Sequence, residues 1–299
     1  MSLLVVGSVA LDSVKTPHGE IQEGLGGSAT YFSIAAGCFT KVRLVAVVGE
    51  DFPERHVAFL RSRGVDLRGL CRTKGKTFRW KGSYGEDMNE AKTLKTELNV
   101  FETFRPALPP AYKDTSFVFL ANIDPDLQRG VVDQITDPHL VACDTMNYWI
   151  SSKPRALKKT LSRVDVLFLN EGEARQLAGG SNLLTAARQL LAMGPSTVVI
   201  KRGEYGALLF KKDSIFWAPA YPLETVRDPT GAGDSFAGGF MGYLSRQKGI
   251  TETRLRRALI YGSIMASFNV EDFSLNRLRK TKREDIERRF RAFRMLVRF

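Results

Sequence analysis

The chain has 299 residues, 43% of them apolar and 25% charged. That composition excludes a disordered or collagen-like protein and leaves room for one large α/β domain with an appendage. The formal net charge is +12, but residues 274–299 hold a surplus of seven basic side chains, so only five are left for the rest and a nucleic-acid-binding face is not expected.

The opening MSLLVVGSVALDSV lacks the basic stretch of a signal peptide and reads as a first buried strand that ends near Asp12. No apolar run approaches the roughly 20 residues that would span a bilayer, so no membrane association is expected. An acid at the carboxyl end of a first parallel strand stands where α/β sheets bind ligands, and a carboxylate suits recognition of vicinal hydroxyls. A turn cap is the other reading of Asp12.

Further apolar runs follow: VRLVAVVG from Val42, SFVFLANI from Ser116, HLVACDT from His139, VDVLFLN from Val164, STVVIKRG from Ser196 and GALLFK from Gly206. Several are apolar on both faces, as covered central strands are. Helical patterns such as AARQLLAMG from Ala186 lie between them. This alternation predicts an α/β fold, a doubly wound and mostly parallel sheet flanked by helices. One segment, 75–101, breaks it with strand-like alternation and turn residues, and predicts a small β-lid inserted in a single domain covering 1–299.

Cys38, Cys71 and Cys143 are odd in number and set among apolar residues, as reduced core thiols of a cytoplasmic protein are. His18, His56 and His139 are scattered, and no metal cluster is expected. Near the end, Thr281 stands three residues before Glu284, the spacing of a helix start, and Ile286, Phe290 and Phe293 form the buried side of a terminal helix with a charged, solvated face.

The segment richest in chemistry is DPTGAGDSFAGGF, from Asp228 to Phe240. A glycine-rich turn entering a helix exposes backbone N–H groups with no partner inside the helix, and the helix dipole adds positive charge there. Gly231, Ala232 and Gly233 leave room for phosphate oxygens to reach that backbone. Asp234 would repel such an anion unless it takes the proton of a hydroxyl attacking the bound phosphoryl group. Helix capping is the simpler reading of the same acid.

These thirteen residues resemble the C-terminal signature of the ribokinase-like, or PfkB, carbohydrate kinase family, which includes nucleoside kinases. The remaining segments are similar in the family's order: GSVALD, GLGGSATYFSIAAG, VGEDFPERHVAFLRSRGVD, NEGEARQLAG and KRGEYGALLF. The resemblance implies an ATP-dependent transfer of a γ-phosphoryl group to a hydroxyl of a small sugar or nucleoside, with a cyclitol or a sugar phosphate as alternative acceptor. A non-catalytic ligand-binding protein on the same fold is the alternative of another class. It places Asp12, Gly26, Gly27, Asn122 and Asn147 at the acceptor and Lys201, Gly203, Gly206, Asn170 and Thr230 at the nucleotide. It also implies magnesium near Glu173, a monovalent cation (K+) near Asp228, and a homodimer joined through the lid. Glu173 also reads as a solvated acid at a helix start, and Gly203 and Gly206 as an ordinary hairpin turn. Tyr31 stands where relatives commonly have asparagine, so its side chain offers one hydroxyl where an amide offers a paired donor and acceptor; with Phe32 it reads as an aromatic wall or as core.

Overall fold

The computed structural model describes residues 2–298. Its strands are β1 (Ser2–Val6), β2 (Ala10–Thr16), β3 (Gly19–Gly26), β4 (Lys41–Gly49), β5 (Val65–Thr73), β6 (Arg79–Tyr84), β7 (Ala91–Glu97), β8 (Phe117–Leu120), β9 (Leu140–Asp144), β10 (Val166–Asn170), β11 (Thr197–Lys201), β12 (Ala207–Phe210) and β13 (Ile215–Ala218). The helices are α1 (Ser28–Gly37), α2 (Glu54–Ser62), α3 (Pro125–Val132), α4 (Asn147–Ser152), α5 (Pro154–Leu161), α6 (Glu171–Ala178), α7 (Leu183–Leu191), α8 (Ala232–Leu244), α9 (Glu252–Asn269) and α10 (Arg283–Leu296).

Each apolar run read as a strand lies in one nine-stranded sheet of order β13-β12-β11-β10-β9-β8-β1-β4-β5. All neighbours from β11 to β5 pair in parallel, and only β12 and β13 turn back at one edge. Strand side chains alternate between two cores, which is why the runs are apolar throughout. Leu3 and Val5 pack on the layer formed by α1, α2 and α8–α10, whereas Leu4 and Val6 pack on the layer of α3 and α5–α7. The sheet is thus covered on both faces.

A second sheet, of order β3-β2-β6-β7, holds the segment expected as a lid. Segment 75–101 supplies β6 and β7, but the other two strands come from residues 10–26, of which those up to about Asp12 were expected to continue the first strand. β1 ends at Val6, and the chain crosses to the second sheet, where β2 pairs with β3 in antiparallel and with β6 in parallel register. Asp12 therefore lies opposite Gly24 and Trp80 inside the lid sheet and not at the end of β1, a correction to the sequence reading. The cause is pairing with a strand some seventy residues away, which no local pattern encodes.

Two smaller expectations also fail. Cys71 is exposed, because it sits on the edge strand β5, while Cys143 is buried and Cys38 half-buried. The terminal helix starts one residue later than expected: Asp285 accepts from the Lys282 N–H at 3.0 Å, and Thr281 hydrogen-bonds back to the Arg277 carbonyl. Ile286 and Phe293 are buried as expected, and Phe290 stacks on Tyr261. Among the described residues no helix is long and apolar enough to cross a membrane.

Candidate active site

The carboxyl ends of β9, β10 and β11 meet the N-terminus of α8 beneath the lid. Gly231 takes the N-cap position of α8 with φ 75°, a left-handed conformation that favours glycine. A Cβ added there would lie 2.3 Å from the Tyr31 ring, so the turn rests directly on that aromatic face. The Ser235 N–H donates to the Gly231 carbonyl at 2.8 Å, and the Ala232 N–H to the Pro229 carbonyl at 3.0 Å. Among the described residues, the N–H groups of Gly231, Gly233 and Asp234 have no backbone acceptor. They are the open donors at the positive end of the helix. Ala232, expected among them, turns its N–H into the loop instead. Phe236, Phe240 and Leu244 sink into the core and hold the helix in place.

Asp234 occupies the first turn of α8. Burial pushes its carboxyl up to about 7, a shift that Asp144, Asp12 and Glu173 reinforce and Lys201 opposes. Lys201, at the end of β11, donates to Asp144 Oδ2 at 2.7 Å, and its Nζ lies 2.9 Å from where a Cβ on Gly233 would stand. Burial works to lower the Lys201 pKa, but the carboxylates of Asp144, Glu173 and Asp234 outweigh it, so the ammonium stays charged beside the anion turn. Register explains the gathering: Asn170 pairs with Lys201 and Phe168 with Asp144 across the three strands.

Asn170 and Glu173 cap α6 reciprocally, Asn170 Oδ1 accepting the Glu173 N–H at 2.8 Å and Glu173 Oε2 accepting the Asn170 N–H at 2.7 Å. Burial also raises the Glu173 carboxyl, with Asp144 adding to the shift. One Glu173 oxygen is thus committed to the cap, and the carboxyl lies near enough to Asp144 and Lys201 to feel both charges. A single carboxylate with an open oxygen fits magnesium, which keeps most of its waters and rides on phosphates. Among the described residues no group of three or more His, Cys, Asp or Glu could hold a metal ion by itself.

Where the resemblance puts the acceptor, Asp12 Oδ2 accepts the Gly27 N–H at 3.2 Å. Burial raises Asp12 to about 7, the Gly27 N–H lowers it, and Asp228 raises it again. A Cβ at Gly26 would lie 1.9 Å from Asp12 Oδ2, so glycine there lets the carboxylate keep its place. A Gly26→Ala chain is therefore expected to show an acceptor KM raised about 10- to 100-fold, the loss of a hydrogen bond to a charged group, with the ATP KM unchanged. Steady-state kinetics with both substrates varied checks this. Tyr31 is 1% exposed, and its hydroxyl has no hydrogen-bond partner among the described residues. Burial raises its pKa, and Asp12, Asp228 and Asp234 act in the same sense, so the phenol is a donor close to all three acids.

Asp228 is 1% exposed and accepts the N–H groups of Thr230 at 2.9 Å and Ser274 at 3.0 Å. Other expected residues have partners of their own. Asn122 accepts from Trp149 Nε1 at 3.1 Å and donates to Met146 Sδ. Asn147 is exposed and caps its own neighbour, Tyr148. Gly203 and Gly206 close the β11–β12 hairpin, where Arg202 N–H donates to the Gly206 carbonyl at 2.8 Å.

Two residues at the site escaped the sequence reading. Asn269, at the end of α9, donates to the Thr230 carbonyl at 2.8 Å and accepts from Ser235. Tyr84, from the lid, places its hydroxyl 3.3 Å from Thr230 Oγ1. The period-two pattern of the lid put Trp80, Gly82 and Tyr84 on one face, but nothing local says which face meets the site.

Known proteins resemble the chain along most of its length. The pfkB family carbohydrate kinase profile matches residues 2–281. Cytidine kinase of Thermococcus kodakarensis is 31% identical over 258 residues, 84% of this chain and 91% of that one. The crystal structure of Methanocaldococcus jannaschii nucleoside kinase superposes with a TM-score of 0.78 at 20% identity, covering 97% of this chain and 98% of that one. Burkholderia thailandensis nucleoside kinase in complex with inosine superposes with a TM-score of 0.77 at 18% identity, covering 98% and 97%. The chain belongs to the pfkB family of carbohydrate kinases, ATP-dependent enzymes that phosphorylate a hydroxyl group of a sugar or nucleoside.

Proposed function

We propose that the chain acts as a single kinase domain that transfers the γ-phosphoryl group of ATP to a nucleoside. The observation that carries the reading is the pair of buried acids, Asp12 on β2 and Asp234 in the first turn of α8, close enough for Asp12 to help raise the Asp234 carboxyl. Asp12 would hold two ribose hydroxyls, and Asp234 would take the proton of the hydroxyl that attacks phosphorus. The N–H groups of Gly231 and Gly233, with the Lys201 ammonium, would stabilise the charge on the migrating group. Magnesium, near Glu173 and Asn170, would neutralise phosphate oxygens when bound. Asp228 accepts one backbone N–H on each oxygen, and its remaining lone pairs would serve a monovalent cation (K+) there.

Similarity to cytidine kinase along most of both chains supports a nucleoside acceptor over a free sugar. The lid weighs against a phosphorylated one: Arg79, its half-buried cation, is taken by Glu23 at 2.7 Å and Asp51 at 2.8 Å. The requirement for ATP supports a cytoplasmic location for the activity. Leu94 and Leu98, 50% and 42% exposed on and beside β7, support a homodimer joined through the lid.

Coupled ADP release over cytidine, uridine, inosine, adenosine, ribose, fructose and myo-inositol tests the acceptor. A nucleoside is expected to exceed every free sugar at least about tenfold in kcat/KM, the worth of roughly 1.4 kcal/mol of base contact. A free sugar or cyclitol used better than any nucleoside would overturn the reading.

A further inference from the structure

We propose that Tyr84 is a positioning residue for phosphoryl transfer, tying closure of the lid to the shape of the anion-binding turn through Thr230. The inference rests on the phosphoryl-transfer site described above and not on the identity of the acceptor.

Thr230 is held from two sides. Its N–H donates to Asp228 Oδ1 at 2.9 Å, and its carbonyl accepts from Asn269 Nδ2 at 2.8 Å. The backbone is therefore clamped, and the next residue, Gly231, begins the turn whose N–H groups stay open. The side-chain hydroxyl is the remaining handle on this turn, and the lid reaches it: Thr230 Oγ1 donates to the Tyr84 hydroxyl oxygen at 3.3 Å. Tyr84 ends β6, which pairs with β2, the strand that carries Asp12. One sheet thus joins the Asp12 carboxylate to the hydroxyl that touches the anion turn.

A second contact has the same direction. Asn89, in the turn between β6 and β7, places Oδ1 2.0 Å from where a Cβ on Gly203 would stand, so the lid tip lies on the β11–β12 hairpin that follows Lys201. The closed lid spans the site from Asp12 to the hairpin. Burial, with Asp228, Asp12 and Asp234 acting in the same sense, raises the phenol to about 12, while the bond to Thr230 opposes it. The proton stays on Tyr84, which therefore serves as a hydrogen-bonding latch and not as a base.

Such a latch has a kinetic signature that a packing role lacks. When the lid closes without fixing Thr230, the anion turn is free to reorient and water can reach the phosphoryl group. Wild type, Tyr84→Phe, Thr230→Val, Thr230→Ser and the Tyr84→Phe/Thr230→Val double variant would be compared with the best acceptor of the screen, measuring ADP release and phosphorylated acceptor separately.

The Tyr84→Phe chain keeps the ring and loses only the hydroxyl. It is expected to turn over roughly tenfold more slowly, the effect of one hydrogen bond, with the ATP KM within about twofold of wild type and more ADP released per acceptor phosphorylated. Thr230→Ser should keep wild-type coupling, and the double variant should be no worse than Thr230→Val. Thermal unfolding of each chain confirms that folded protein is being compared. Wild-type turnover and coupling in Tyr84→Phe, or single effects that multiply in the double variant, would overturn the proposal. A wild-type preference for a free sugar would count against the nucleoside reading and leave this comparison intact.

Discussion

An Asp234→Asn enzyme is expected to turn over about 10³-fold more slowly than wild type while binding ATP with similar affinity, as loss of a general base dictates. Asparagine preserves shape and the start of α8 but cannot accept the proton of the attacking hydroxyl. The wild-type pH profile should carry the same acid. With Asp234 raised to about 7 by burial, kcat/KM for the acceptor should fall about tenfold per unit below that pH and level off above it. Stability should move the opposite way. An acid whose folded pKa lies above its ordinary 3.8 favours the fold while protonated; that contribution is complete below about 4 and lost as pH rises to about 7. Asp234→Asn removes the loss, so its unfolding midpoint should exceed that of wild type by more at pH 8 than at pH 5. Calorimetry at the two pH values, with stopped-assay kinetics, checks both halves. Full turnover in the variant would remove Asp234 from the chemistry.

The parts of the site that were legible are those built locally. A helix start, its glycines and its acid lie within a few residues, so α8 and Asp234 could be read from one segment. Continuous apolar runs likewise announce strands buried on both faces. What was hidden depends on distant pairing. Asp12 looked like the end of β1 because GSVALD continues an apolar run, yet its strand pairs with β6 in the lid. Asn122 was named for its place after β8, whereas its bond from Trp149 Nε1 depends on a helix 27 residues further along. The Asp144–Lys201 pair depends on the register of three parallel strands, and Tyr84 on the closure of a sheet over a turn 146 residues further along.

Lys201→Met is expected to damage stability and turnover by separable routes. The wild-type ammonium donates to Asp144 Oδ2 at 2.7 Å, with the two side chains only 17% and 6% exposed. Removing it leaves Asp144 buried and uncompensated beside Glu173 and Asp234, and breaking such a pair from one side costs about 3–5 kcal/mol. The same substitution takes away the one neighbour that lowers the Asp234 pKa, so the alkaline rise of kcat/KM should move above 7. It also deletes a positive charge next to the Gly233 backbone, where charge on the transferring group would gather, a loss of about 10²-fold or more in turnover. Pairing the change with Asp144→Asn separates the routes: the double variant no longer buries a lone carboxylate and should regain most of the lost stability, while turnover stays low. Denaturant unfolding and kcat measured on the same three chains decide it. If the double variant recovered turnover along with stability, Lys201 would be a structural counterion and the anion turn would work through its backbone donors alone.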